Sequence, residues 1–172
     1  MSRDGSRDFD WEIGTWATHV RVLRGAFSPE ATWIEFAGTS VVHSFCEGGS
    51  NLVELDVAGA SGRIQGVSLR LYSPEARQWS LNFANMGDGL LTPPTFGEFT
   101  EERGEFFGVD TLRGRAILVR FVILKISDDS ARFEQSYSAD SGKTWELTWV
   151  ATDTRATPSS RSPAETAARK II

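Results

Sequence analysis

The chain has 172 residues, 40% of them hydrophobic and 24% charged, with a net charge of -5 and a pI near 5.1. That is enough for one domain with a full core. It is too acidic, and too poor in clustered Lys and Arg, for nucleic acid to be the main partner.

Residues 1–8 are polar and expected to be mobile, and they lack the apolar centre of a secretory signal. The phrase Phe9-Asp10-Trp11-Glu12-Ile13-Gly14-Thr15-Trp16 follows, and Trp16 opens a run of alternating residues. From there the chain reads as strands punctuated by reversals at 24–29, 47–50, 59–62, 73–76, 86–94, 102–104, 113–114, 127–130 and 140–143. Each carries the Gly, Pro, Asp or Ser chemistry that turns need. They separate ten runs rich in Val, Ile, Leu, Phe, Trp and Thr. No segment holds a helical period over about ten residues. Short reversals exclude parallel crossovers, so neighbours pair in sequence order. A meander this long leaves two sticky edges unless it closes, which favours an all-β, up-and-down antiparallel barrel over a β-sandwich. The barrel is expected over 9–155, with 156–172 as a disordered tail rather than a short helix. No run reaches the ~18 apolar residues of a membrane span. The single Cys46 excludes an internal disulfide. Together these favour a cytoplasmic setting without a membrane partner.

The opening phrase resembles the Phe-x-x-x-x-Gly-x-Trp start of an uncharacterised bacterial family of calycin-like barrels. Further matching stretches are Glu35-Phe36-Ala37-Gly38-Thr39-Ser40, Gly66-Val67-Ser68-Leu69-Arg70-Leu71-Tyr72-Ser73-Pro74, Trp79-Ser80-Leu81-Asn82, Gly97-Glu98-Phe99, Phe133-Glu134-Gln135 and Asp140-Ser141-Gly142-Lys143-Thr144-Trp145-Glu146. The resemblance covers roughly 9–155. It implies a barrel shaped like lipocalins and fatty-acid-binding proteins, which hold a small apolar molecule inside, and it brings no established ligand or activity. It also implies that Trp16 packs across one end, with Phe9 and Trp11 in a helical turn that plugs it and Gly14 letting the backbone bend. One mouth would then stay open.

Few residues offer chemistry. His19 and His43 are distant from each other and from Cys46, with no ligand spacing, so no metal is expected. His43 alternates with Val41 and Phe45; inside a barrel it could serve as acid or base, or hold haem, and otherwise it is a core or surface histidine. Arg70 shares a face with Ser68 and Tyr72, and Arg120 with Leu118 and Val122. A buried guanidinium requires a carboxylate or a ligand anion, and an interior arginine is how fatty-acid-binding barrels grip a carboxylate. The alternative for both is a solvated face, and the apolar neighbours of Arg120 tilt it inward. Glu35, Glu54, Asp56, Asp110 and Glu134 are the acidic candidates. Glu54 and Asp56 share one wet face of their strand, either bulk solvent or a water-filled lumen. The last hairpin has two possible parities, so Trp145 and Trp149 lie beside either Glu134 or Gln135. Trp79, Trp145 and Trp149 are candidate lumen aromatics.

The stretch 86–94, with Leu90 and Leu91 amid glycines and prolines, suits a lid or an inert packed loop. No glycine cluster has phosphate-loop spacing. The run 116–124 is apolar on both faces apart from Arg120. Its outer face is expected to pack on a second subunit as a homodimer. The favoured role is binding of a small, mostly apolar molecule in the lumen without a cofactor, in one form acidic and met by Arg70 or Arg120. A cofactor-independent isomerase or cyclase using the lumen is the alternative, and haem binding ranks last.

Overall fold

The computed structural model describes residues 4–156. A 3-10 turn, Asp10–Glu12, leads into eleven strands. They are β1 (Gly14–Arg24), β2 (Thr32–Ser44), β3 (Ser50–Gly59), β4 (Gly62–Ser73), β5 (Gln78–Asn85), β6 (Leu90–Leu91), β7 (Thr95–Thr100), β8 (Arg103–Leu112), β9 (Arg115–Ser127), β10 (Ser130–Ser138) and β11 (Glu146–Arg155). Their order in the sheet is β4-β3-β2-β1-β11-β10-β9-β8-β7-β5-β6, and β4 also pairs with β5. The sheet therefore closes. Ten strands form the wall, and β6 is a two-residue addition to the edge of β5. Every pairing is antiparallel. The expected ten-strand barrel is found, and the sandwich is not.

Alternation does the sorting. On β1, Trp16, Thr18 and Val20 are buried while Ala17, His19 and Arg21 are exposed, as the period of two requires. Where strands crowd, glycine replaces a side chain. A Cβ on Gly38 would lie 2.1 Å from the Asp56 carbonyl oxygen.

The opening phrase closes one end. Phe9 stands edge-on to Trp79 at 4.9 Å and to Phe99 at 5.0 Å, in a cluster with Leu81, Phe106 and Ile123. Trp16 is fully buried and donates through Nε1 to the Glu12 carbonyl at 2.7 Å. Trp11 meets Trp16 edge-on at 6.2 Å. Gly14 has φ 126°, a backbone that side chains rarely adopt, and the Arg155 guanidinium lies beside it. Arg155, at the end of β11 and opposite Trp16 in the β1–β11 register, locks the plug. Its guanidinium sits 4.1 Å over the Trp16 ring and donates to the carbonyls of Trp11 (2.7 Å) and Ile13 (3.1 Å). Residues 4–8 lie against this end: the Gly5 carbonyl accepts from Trp79 Nε1 at 2.9 Å, and Asp8 is buried. The tail expected from 156 onward lies outside the described residues beyond Ala156. No helix among the described residues is long and apolar enough to cross a membrane.

On β9 the odd residues Ile117, Val119 and Ile123 are buried, and Phe121 with them lines the interior. The even residues face out, and of these Val122, between Glu105 and Glu134, is nevertheless buried. Part of that outer face is covered from within the chain. The loop 139–145 returns across it, so that Leu118 meets Gly142 and the Arg120 guanidinium stacks 4.7 Å over Trp145.

Candidate functional site

Between the plug and the opposite mouth lies a cavity of about 150 Å³. Its wall is mainly apolar, with Val20, Leu81, Phe121, Phe133, Trp149 and Ala151 among its residues. Its polar groups come from seven elements: Glu12 from the 3-10 turn, Thr18 from β1, Ser40 from β2, Ser68 and Arg70 from β4, Thr95 from β7, Gln135 from β10 and Asp153 from β11. Thr92 and Pro93 of the 86–94 segment complete the lining, while Leu90 and Leu91 stand 69% and 65% exposed.

Two charged groups are already matched. Arg70 is 3% exposed and forms a two-pronged ion pair with Glu12, Nη1 to Oε2 and Nη2 to Oε1, the latter at 3.3 Å. The guanidinium also lies 4.3 Å over the Phe9 ring and 5.3 Å from Phe133. The buried arginine thus takes its carboxylate from the plug, as the cost of an unpaired interior charge demands.

Asp153 is different. It is 8% exposed, and its Oδ1 accepts from the Thr18 hydroxyl at 2.5 Å. Thr18 Oγ1 in turn accepts from Ser40 Oγ at 2.8 Å. Burial pushes the carboxyl up to about 6, aided by the charge of Glu12, while Thr18 and Arg70 pull the other way. Three nearby polar atoms have no hydrogen-bond partner in the protein: Arg70 Nε and Thr95 Oγ1, whose residues line the cavity, and Asn51 Oδ1.

The sequence candidates divide by strand face. Arg70, Gln135 and Trp149 line the cavity. Trp79 belongs to the closed end, against Phe9 and Tyr72. His43, Arg120, Trp145 and Glu134 face outward. His43 pairs with Glu54 at 3.0 Å on the exposed side of β2 and β3. Arg120, tilted inward by the sequence, lies on the outer face with Trp145, because Phe121 and its odd neighbours fill the barrel. Glu134 pairs with Arg132 at 2.7 Å. Glu54 and Asp56 face outward as well, and Asp56 holds Arg63. The hairpin ambiguity resolves through a loop longer than either option. Seven residues, 139–145, join β10 to β11, and Trp149 pairs with Gln135. His19 meets Glu35 at 3.4 Å outside the barrel, and among the described residues no three His, Cys, Asp or Glu side chains converge as a metal site would require.

Sequence reasoning missed Glu12, Thr18, Ser40 and Asp153. Asp153 had a readable signal, since it continues the alternation of Trp149 and Ala151. Glu12 had none, because its role depends on a partner 58 residues away.

No family model matches this chain, and no curated protein matches it. Among solved structures, that of EF1p2_mFAP2b bound to DFHBI is 10% identical, covers 88% of this chain and 99% of its own, and has a TM-score of 0.48. The ywiB protein from Bacillus subtilis is 10% identical, covers 84% of this chain and 93% of its own, and has a TM-score of 0.37.

Proposed function

We propose that the barrel binds a small, compact, mostly apolar molecule in its lumen. The observation that carries this is a closed barrel whose apolar-walled cavity of about 150 Å³ is lined by two buried carboxyls, Glu12 paired with Arg70 and Asp153 held on a neutral hydroxyl. Concave apolar sites with a few polar anchors are the usual form of small-molecule sites. The volume argues for a molecule about one ring in size, since a cavity of roughly 150 Å³ accepts benzene. A long fatty acid does not fit that space. An acidic ligand is also disfavoured, because the guanidinium of Arg70 is engaged by Glu12 and an incoming carboxylate would face Asp153.

The resemblance to calycin-like barrels is part of this reading, and the plugged end with its Trp16–Arg155 stack supports it. So is a lid role for 86–94, supported by Thr92 and Pro93 at the cavity and by exposed Leu90 and Leu91. The cytoplasmic setting belongs to the same reading and is supported by the exposed free thiol of Cys46. A homodimer through β9 completes it. Sedimentation at high concentration tests that element, and a strictly monomeric species removes it.

One observation favours a second reading, proton transfer to or from a bound substrate. Asp153 is an interior carboxyl tuned toward neutrality, which suits general acid or base work. His43, the other acid–base candidate, lies outside the lumen.

Native mass spectrometry tests the binder. A co-purified small mass is expected, absent from an Ala151→Phe variant that fills the lumen. A bound mass retained unchanged in that variant would sink the lumen as the site.

A further inference from the structure

We infer that the lumen selects an organic cation: a protonated amine, or a quaternary ammonium, on a compact apolar body. This rests on the lumen-binding reading and names its ligand class.

The charge balance of the wall comes first. Among the described residues, the charged side chains lining the cavity are Glu12, Arg70 and Asp153. Glu12 and Arg70 neutralise each other in their two-pronged pair. Asp153 is left with a neutral hydroxyl as its hydrogen-bond partner. A hydroxyl donor satisfies one oxygen but cannot balance a buried charge, and such a charge is costly until a counter-charge arrives. A cationic ligand supplies it.

The rest of the wall suits the same ligand. Phe83, Phe121, Phe133 and Trp149 line the cavity. Aromatic faces attract cations, most strongly when water is excluded, and aromatic cages are a recurrent solution for ammonium groups. One of these rings already stands near a cation, since the Arg70 guanidinium lies 5.3 Å from the Phe133 centroid. Thr95 Oγ1 lines the same space, is buried, and has no partner. It is a spare acceptor for an ammonium N–H. An anion would find a guanidinium whose charge Glu12 already balances, with Nε of Arg70 as its one donor lacking a partner, and it would face the Asp153 carboxyl. A neutral alcohol could bond Asp153 and still leave its charge unmatched.

The account predicts a pH dependence. The charged groups facing Asp153 are Glu12, from the 3-10 turn, and Arg70, from β4. Thr18 and Ser40, from β1 and β2, are neutral. Cation affinity should fall as Asp153 takes up its proton near pH 6.

Calorimetry with three one-ring probes, benzylamine, benzyl alcohol and benzoate, tests the inference at pH 7.5. Benzylamine should bind about tenfold or more tighter than benzyl alcohol, and benzoate weakest, as one unbalanced buried charge requires. Asp153→Asn should bring benzylamine and benzyl alcohol within roughly threefold of each other, while a retained cooperative thermal transition reports an intact fold. The wild-type protein gives a second arm that needs no variant: lowering the pH to 5 should weaken benzylamine about tenfold and leave benzyl alcohol little changed. Benzyl alcohol binding as well as benzylamine would overturn the inference and leave the lumen reading standing. Benzylamine affinity indifferent to both Asp153→Asn and pH would do the same. No binding by any of the three probes would overturn both.

Discussion

Arg70→Met is the most informative single perturbation, provided it is made with and without Glu12→Gln. Arg70 and Glu12 are 3% and 5% exposed, so neither charge has water to fall back on. Removing the guanidinium leaves the Glu12 carboxyl buried without its counter-charge and near Asp153. Breaking a buried pair in this way costs about 3–5 kcal/mol. Glu12→Gln alone strands the guanidinium and should cost a similar amount. Removing both charges together is often close to neutral, because each partner's desolvation penalty goes with it; the double variant should lose no more than about 2 kcal/mol. The coupling should therefore be about 4 kcal/mol or more. Urea unfolding of the four proteins at pH 7.5 reads this directly. With a typical urea dependence of about 2 kcal/mol per molar, each single variant should lower the midpoint by roughly 2 M. If Arg70→Met costs under about 1 kcal/mol, or if the two single effects simply add, the pair is not a buried unit. The guanidinium would then be available to a ligand after all.

Other consequences are more local. Asp153 is held at about 6 when folded, against an ordinary value of 3.8. The folded state therefore binds more protons between those values, and this group's contribution to stability is lost as pH rises toward 7. The stability difference between Asp153→Asn and wild type should shift in favour of wild type, by up to about 3 kcal/mol, as pH falls from 7 to 4; a flat difference in pH-resolved urea melts would refute it. Arg155→Leu removes the stack on Trp16 and the bonds to Trp11 and Ile13. It should cost about 2–4 kcal/mol and accelerate amide exchange at residues 9–13 more than in the distal strands. Gly38→Ala would place a methyl 2.1 Å from the Asp56 carbonyl oxygen. A loss of about 2 kcal/mol or more in thermal melts is expected, and an unchanged midpoint would mean that β2 and β3 separate there at little cost.

The architecture was legible because it rests on local signals. Turn chemistry at nine reversals and the alternation between them define ten strands, and the sheet closes as a meander must. The plug was expected from the resemblance of Phe9, Trp11, Gly14 and Trp16 to the opening of calycin-like barrels, not from alternation or composition. At Glu54 and Asp56 alternation grouped the residues on one wet face but left solvent and lumen both open, and the structure places that face outside. On β9 both sides are apolar, and Arg120 fell on the outer one. Trp145 was lost to a loop length that composition does not specify. The polar centre was hidden for another reason. Glu12 meets Arg70 across 58 residues, and Thr18 meets Asp153 across 135. Such pairings come from barrel closure and register, not from spacing along the chain.

A crystal structure grown with benzyl alcohol shows whether the lumen is where a one-ring molecule binds. Ring density is expected inside the barrel among Phe121, Phe133 and Trp149, with the hydroxyl directed at Asp153. A lumen without the ring, with the alcohol instead on the outer face beside Phe96 and Phe107, would contradict it.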